Sequence, residues 1–303
     1  MMRRFSLIAA ALIVAASLRS AAAGELEKLS FSGAGSLLDA AVSFNAVLAA
    51  APKKAVPAED PAQARQKALD GKLLQAVSSV NVAEIRRLVA MGANPNAYDG
   101  YNMMPLTQAV YDHGDPDILN TLYELGAQVD GKGTCDTTAL QAAGEQGRLD
   151  AAQWLIAHKA TLDQKSCVGE TALVKAVAGG KTDVSLYLLG LGADPNAMDW
   201  QDKTTLLLAV NLYVAPEHND ILAALLADKR TNVNAADKDG LTALKVAVKA
   251  NSLALVKLLL ATPGVDVNDN TGGTSALFLA DLNNYSEIAQ ALRAAGAKTI
   301  AAR

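Results

Sequence analysis

Aromatic side chains are scarce in this 303-residue chain, with two tryptophans, four phenylalanines and seven tyrosines making 4% of the whole. A core built on large rings is therefore excluded, and packing must rest on small and aliphatic residues. Histidine and cysteine are scarcer still, at three and two. No His-Glu-x-x-His, Cys-x-x-Cys or Gly-x-Ser-x-Gly pattern occurs, so the usual spacings for a bound metal or an activated nucleophile are missing. His113, His158 and His218 read as ordinary polar residues of a turn, a helix end and a long connection. No catalytic residue, metal or cofactor is expected. A basic excess is also lacking, since 27 Lys and Arg face 31 Asp and Glu, a net charge of −4. Nucleic acid and anionic membrane both select a basic face, so neither is expected as a partner.

Long apolar runs are absent beyond the N-terminus. There, Arg3 and Arg4 precede an apolar stretch from Phe5 to Leu18, and Ala21, Ala22 and Ala23 follow as a small-residue cleavage pattern. Residues 1–23 read as a secretory signal peptide. The alternative is an uncleaved N-terminal anchor. The alanine-rich core looks bacterial, and no cysteine lies near the cleavage point to accept a lipid. Cleavage removes three arginines and no acid, leaving 24 basic against 31 acidic side chains, a net of −7. A periplasmic or secreted location, with no stable membrane anchor, is expected. Residues 24–60 form a separate segment. Leu37, Ala41, Phe44 and Leu48 have amphipathic helical spacing, and 52–61 reads as a proline-rich linker. Asp60 and Pro61 then read as an N-cap and first helical residue, with a helix near 61–70.

What the chain does have is a phrase that returns. MPLTQA (104–109), TALQAA (138–143), TALVKA (171–176), TTLLLA (204–209), TALKVA (242–247) and SALFLA (275–280) align on Leu106, Leu140, Leu173, Leu206, Leu244 and Leu277. The spacings are 34, 33, 33, 38 and 33 residues, and a weaker copy, KLLQA (72–76), puts Leu73 in the same slot. A fixed period of this size marks a repeat architecture. After each phrase comes a polar break and then a second helix rich in Leu and Val, such as 152–158, 184–191 and 255–261. A loop follows: GANPN (92–96), GAQVD (126–130), GADPN (192–196), RTNVN (230–234) or GVDVN (264–268). Its glycine suits a left-handed helix stop, and its Asn and Asp favour turns by bonding to their own backbone. One helix pair cannot bury its apolar side alone, so the leucines and the alanines Ala109, Ala143, Ala176, Ala209, Ala247 and Ala280 must join through stacking.

Phrase, loop and period together resemble the ankyrin-repeat family, whose repeat carries T-P-L-H-x-A and a G-A-D-x-N loop. The resemblance covers about 70–298. It implies an all-α solenoid of helix-turn-helix units with short hairpin tips. Residues 61–303 would form it, with a divergent first repeat near 70–98 and six repeats after it. The family histidine is replaced by Thr107, Gln141, Val174, Leu207, Lys245 and Phe278. That side chain braces neighbouring loops, so its loss implies weaker coupling between repeats. The repeat beginning near Asp199 is stretched, with YVAPEHND (213–220) between its helices. The last helix, with Glu287, Gln290, Arg293 and Lys298, reads as a polar cap.

Cys135 and Cys167 fall in the turns of adjacent repeats. A disulfide staple between loops and two free thiols both fit that placement, and an exported chain would permit the bond. The resemblance further implies a protein partner docked on the concave side. Matching loop-tip positions are Tyr101, Met103, Trp200, Gln201, Lys203, Lys238 and Leu241; first-helix positions are Tyr111, Asp112, Glu145, Gln146 and Asn211. Exposed Trp and Tyr are enriched in binding hot spots, although such rings also pack on the neighbouring repeat. Asp99, Asp112, Glu145, Asp199 and Asp202 would suit a basic partner surface. The expected function is a monomeric, non-enzymatic binding protein that inhibits, protects or scaffolds an envelope enzyme. The alternatives are an accessory or catalytic role carried by 24–60 or 213–220, and an envelope structural protein.

Overall fold

The T-x-L phrase starts helices because its first residue caps them. Thr138, Thr171, Thr204 and Ser275 each accept the backbone N–H three residues on, satisfying a donor the helix leaves open. Thr138 makes a full capping box with Gln141. In a computed structural model that describes residues 60–213 and 219–299, these starts open helices of seven or eight residues. Fourteen α-helices lie among the described residues, taken here as seven pairs. They are α1 (Pro61–Ser78) and α2 (Val82–Ala90), α3 (Pro105–Asp112) and α4 (Pro116–Glu124), α5 (Ala139–Gln146) and α6 (Leu149–Ala157). Then come α7 (Ala172–Ala178) and α8 (Thr182–Gly190), α9 (Thr205–Leu212) and α10 (Asn219–Ala227), α11 (Ala243–Lys249) and α12 (Leu253–Leu260), α13 (Ala276–Leu282) and α14 (Ser286–Ala294).

The odd-numbered helices stack side by side as an inner layer, and the even-numbered ones cover them. Outer-layer contact slackens only between α10 and α12, where the stretched repeat ends. The all-α expectation holds. Among the described residues, strand character is confined to isolated bridges at hairpin tips, Met198 with Thr204 and Ala236 with Thr242.

The core is the leucine row. Leu106, Leu140, Leu173, Leu206, Leu244 and Leu277 are all buried, as are the six alanines of the phrase. At about 25 cal/mol per Å² of apolar surface, each buried leucine contributes roughly 2 kcal/mol, which one isolated pair could not gather. The inner helices approach most closely at α5 and α7. A Cβ on Gly144 would lie 2.5 Å from the carbonyl oxygen of Ala172, so only glycine fits there.

The N-terminal end differs from expectation. Asp60 does cap a helix with Pro61 at its first turn, but that helix does not stop near residue 70. It runs through Gly71 to Ser78, because Leu73, Ala76 and Val77 are buried and carry the first repeat's phrase on the same helix. The amphipathic segment around Leu37–Leu48, residues 52–59 of the linker and residues 214–218 of the long connection lie outside the described residues.

Candidate functional site

Each repeat from the second onward presents a finger, the turn before its inner helix. Three fingers share one device. The Oδ1 of Asp99 accepts the amide N–H of Tyr101 (2.8 Å) and of Met103 (2.7 Å). Asp199 does the same for Gln201 (2.8 Å) and Lys203 (2.9 Å), and Asp237 for Asp239 (3.0 Å) and Leu241 (2.9 Å). One oxygen of Asp99 and of Asp199 is thus occupied inside its own finger.

These braces hold the tips out. Tyr101 is 82% exposed and Trp200 65% exposed, so neither ring is covered by a neighbouring repeat. Lys238, Gln146 and Asn211 are exposed, whereas Met103, Gln201, Lys203 and Leu241 are half-buried. Lys203 Nζ donates to the Gln201 side chain at 2.9 Å.

The twelve expected contact residues do not form one cluster. Met103, Tyr111 and Glu145 come together, lining a groove of about 270 Å³ with Thr107, Lys175 and the Gly133–Thr137 finger. Tyr111 donates its hydroxyl to Glu145 at 2.9 Å, and Lys175 Nζ donates to the same oxygen at 3.1 Å. Burial, then the Glu145 hydrogen bond, push the Tyr111 phenol well above its ordinary range, so it stays a neutral donor. Tyr101 is tied to this groove by its carbonyl, which accepts from Thr134 Oγ1. Asp112 lies one residue beyond Tyr111 and accepts from Ser78 Oγ (2.6 Å) and Gln108 Nε2 (2.7 Å). Trp200, Gln201 and Lys203 sit on the finger before α9, and Lys238 and Leu241 on the finger before α11.

Cys135 and Cys167 come to disulfide distance, with Cα atoms 4.8 Å apart, and the backbone N–H of Cys167 donates to the Cys135 carbonyl at 2.8 Å. Of the two placements left open by the sequence, the paired one is observed.

Several groove and bracing residues escape the sequence reading. Lys175 and Glu170 join the groove's charge cluster, Lys175 Nζ lying 3.5 Å from Glu170. Trp154 and His158 stack with centroids 3.8 Å apart, and Tyr123 meets both edge-on, so His158 belongs to an aromatic cluster on α4 and α6. His113 Nε2 is hydrogen-bonded to the Ser78 carbonyl at 2.7 Å. His218 lies outside the described residues.

The replaced histidine slot also behaves otherwise than expected. Gln141 Nε2 donates to the carbonyls of Gln164 (2.7 Å) and Glu170 (3.0 Å) in the next repeat. Lys245 Nζ donates to Gly240 O (3.0 Å) and Thr271 O (2.7 Å) and pairs with Asp269. At these two positions the coupling between loops is kept by another side chain, because any long donor can reach the same carbonyls. Val174, Leu207 and Phe278 have no polar atom with which to do so.

No group of His, Cys, Asp or Glu able to hold a metal ion exists among the described residues, and no described helix is long and apolar enough to cross a membrane. Residues 106–199 and 206–302 each match the family model described as ankyrin repeats, three copies. Such repeats are generally protein–protein interaction modules and are typically non-catalytic. With the match covering well over half of its length, the chain belongs to the ankyrin-repeat family.

Proposed function

We propose that residues 1–23 are removed as a signal peptide and that the mature chain acts in the periplasm, or outside the cell, as a monomeric, non-enzymatic binding protein. Its partner docks on the face made by the fingers and inner helices. There it is inhibited, protected or held in place. The observation that carries this reading is the pair of outward rings, Tyr101 and Trp200, on fingers fixed by Asp99 and Asp199. A large, exposed ring on a pre-ordered loop loses little entropy on binding, which is why such residues become anchors. The cysteine pair at disulfide distance supports an oxidising compartment. The net charge of −7 after cleavage, with Glu145 and Glu170 at the groove, favours a basic partner surface.

Recovery of partners from a periplasmic extract tests this directly. The Tyr101→Ala/Trp200→Ala double variant, matched in folding to wild type, is expected to lose the partner at least about tenfold, as two hot-spot rings imply. Equal recovery by both proteins sinks the proposal.

A further inference from the structure

The fingers at Gly133 and Ser166 lack the device that holds those at Asp99, Asp199 and Asp237. Asp99, Asp199 and Asp237 each take two amide N–H groups of their own finger. Gly133 occupies the same slot with no side chain, and the Ser166 hydroxyl takes only one N–H, that of Glu170 at 3.2 Å. These two fingers without a carboxylate brace are adjacent, and they carry Cys135 and Cys167. Cys135 sits at φ 56°, a left-handed conformation that its side chain does not favour, and the link to the next finger is in place to help hold it. It is reachable: Cys167 is exposed and Cys135 half-buried. Residues Gly133, Thr134, Cys135 and Thr137 are also one wall of the groove that holds Met103, Tyr111 and Glu145.

We propose that the Cys135–Cys167 pair is a thiol-exchange site that sets the shape of this groove. Oxidised, the disulfide replaces the missing carboxylate and keeps both fingers in register. A dithiol reductant opens it. One thiolate of the reductant attacks Sγ of Cys167, the more exposed residue of the two, forming a mixed disulfide. The Cys135–Cys167 bond breaks, and Cys135 leaves as a thiolate that takes up a proton. The second thiol of the reductant then displaces Cys167, and the reductant departs as its own disulfide, having supplied two electrons. The fingers at 133–137 and 166–170 then loosen, and the groove loses that wall. The regulatory consequence rests on the binding role proposed above; the loosening itself does not.

Amide hydrogen exchange of the mature chain, followed by mass spectrometry with and without dithiothreitol, tests the site without any partner. Reduction is expected to speed exchange about tenfold in peptides covering 133–137 and 166–170, as for a local opening. Exchange at 99–103, 199–203 and 237–241 stays unchanged. The Cys135→Ser/Cys167→Ser variant should behave like the reduced chain. Adding Ser166→Asp to it, which restores a carboxylate brace, should slow finger 166–170 again. Unchanged exchange on reduction, equal loosening of all fingers, or two alkylated thiols in the unreduced protein would each overturn the proposal. Because the readout is internal, these outcomes are separate from any failure to recover a partner.

Discussion

Lys245 shows how one residue can be read correctly as a departure and wrongly as a weakness. It is 1% exposed, yet its ammonium has three partners: the Gly240 and Thr271 carbonyls and the Asp269 carboxylate. Removing such a partner leaves a charge without its counterpart, so Lys245→Met should destabilise by about 3 kcal/mol, even though methionine nearly fills the space. Urea unfolding measures this, and a loss below about 1 kcal/mol would make the clasp incidental. The same pair predicts a pH dependence. Burial opposes ionisation of Asp269, but hydrogen bonds from Lys245 and Thr271 and the Lys245 charge hold its carboxyl below the ordinary 3.8. A depressed folded value gives stability that is present above the unfolded value and lost as pH falls through the folded one. Wild type should therefore lose stability as pH falls below about 4 in excess of Lys245→Met, in which the Lys245 share of this contribution is absent. What the sequence made legible here was the slot, because it recurs every 33 or so residues. The partners were not legible: Thr271 is 26 residues away in sequence, and only stacking brings its carbonyl over α11.

At the scale of elements, helix starts were readable because capping is local. Thr138, Thr171, Thr204 and Ser275 reach only three residues ahead. Which helices pack closest was not readable, since a glycine in a short helix looks like a weak helix former until its neighbour is in place. Gly144 faces Ala172 of α7 with no room for a Cβ. The slot in the other inner helices holds a larger residue, such as Val177 in α7 or Val210 in α9. Matching that pattern by Gly144→Val would add helix propensity but drive α5 away from α7, and overpacking of this kind costs about 1–3 kcal/mol. The variant is expected to lower the melting temperature and to slow formation of the Cys135–Cys167 bond, because the fingers that open α5 and α7 separate with their helices. A variant as stable as wild type, oxidised as fast, would show that the close approach has no bearing on the fingers.

The whole molecule is held along its length by a second row that the period alone did not explain. The Asn and Asp of each loop were expected to bond within their own turn, and one of each pair does: Asn96 N donates to Asn94 Oδ1 and Asn196 N to Asp194 Oδ1. The other reaches the next repeat. Asn196 Nδ2 donates to Arg230 O while its Oδ1 accepts from Asn232 N, and Asn96, Asn234 and Asn268 repeat the arrangement. Asp130 and Asp163 supply only the accepting half. Every bond in this ladder, like every contact of the leucine row, joins a repeat to its immediate neighbours. Stability should then be close to a sum over repeats and nearest interfaces. Leu206 and Leu277 are equally buried, at 2% and 1%, so a purely local account predicts the same cost for burying an aspartate at either. Their positions differ. Leu206 sits in α9, which contacts α7 and α11, whereas Leu277 sits in α13, which among the inner helices contacts only α11. Leu206→Asp should disrupt two interfaces and lower the urea midpoint of the main transition, by a free energy on the order of 4 kcal/mol. Leu277→Asp should instead release the last repeat in an early, shallow phase, with fast amide exchange confined to about residues 270–299 and the main transition little moved. A single transition shifted equally by the two substitutions would mean that coupling runs the length of the stack, and that the nearest-neighbour description of this chain is wrong.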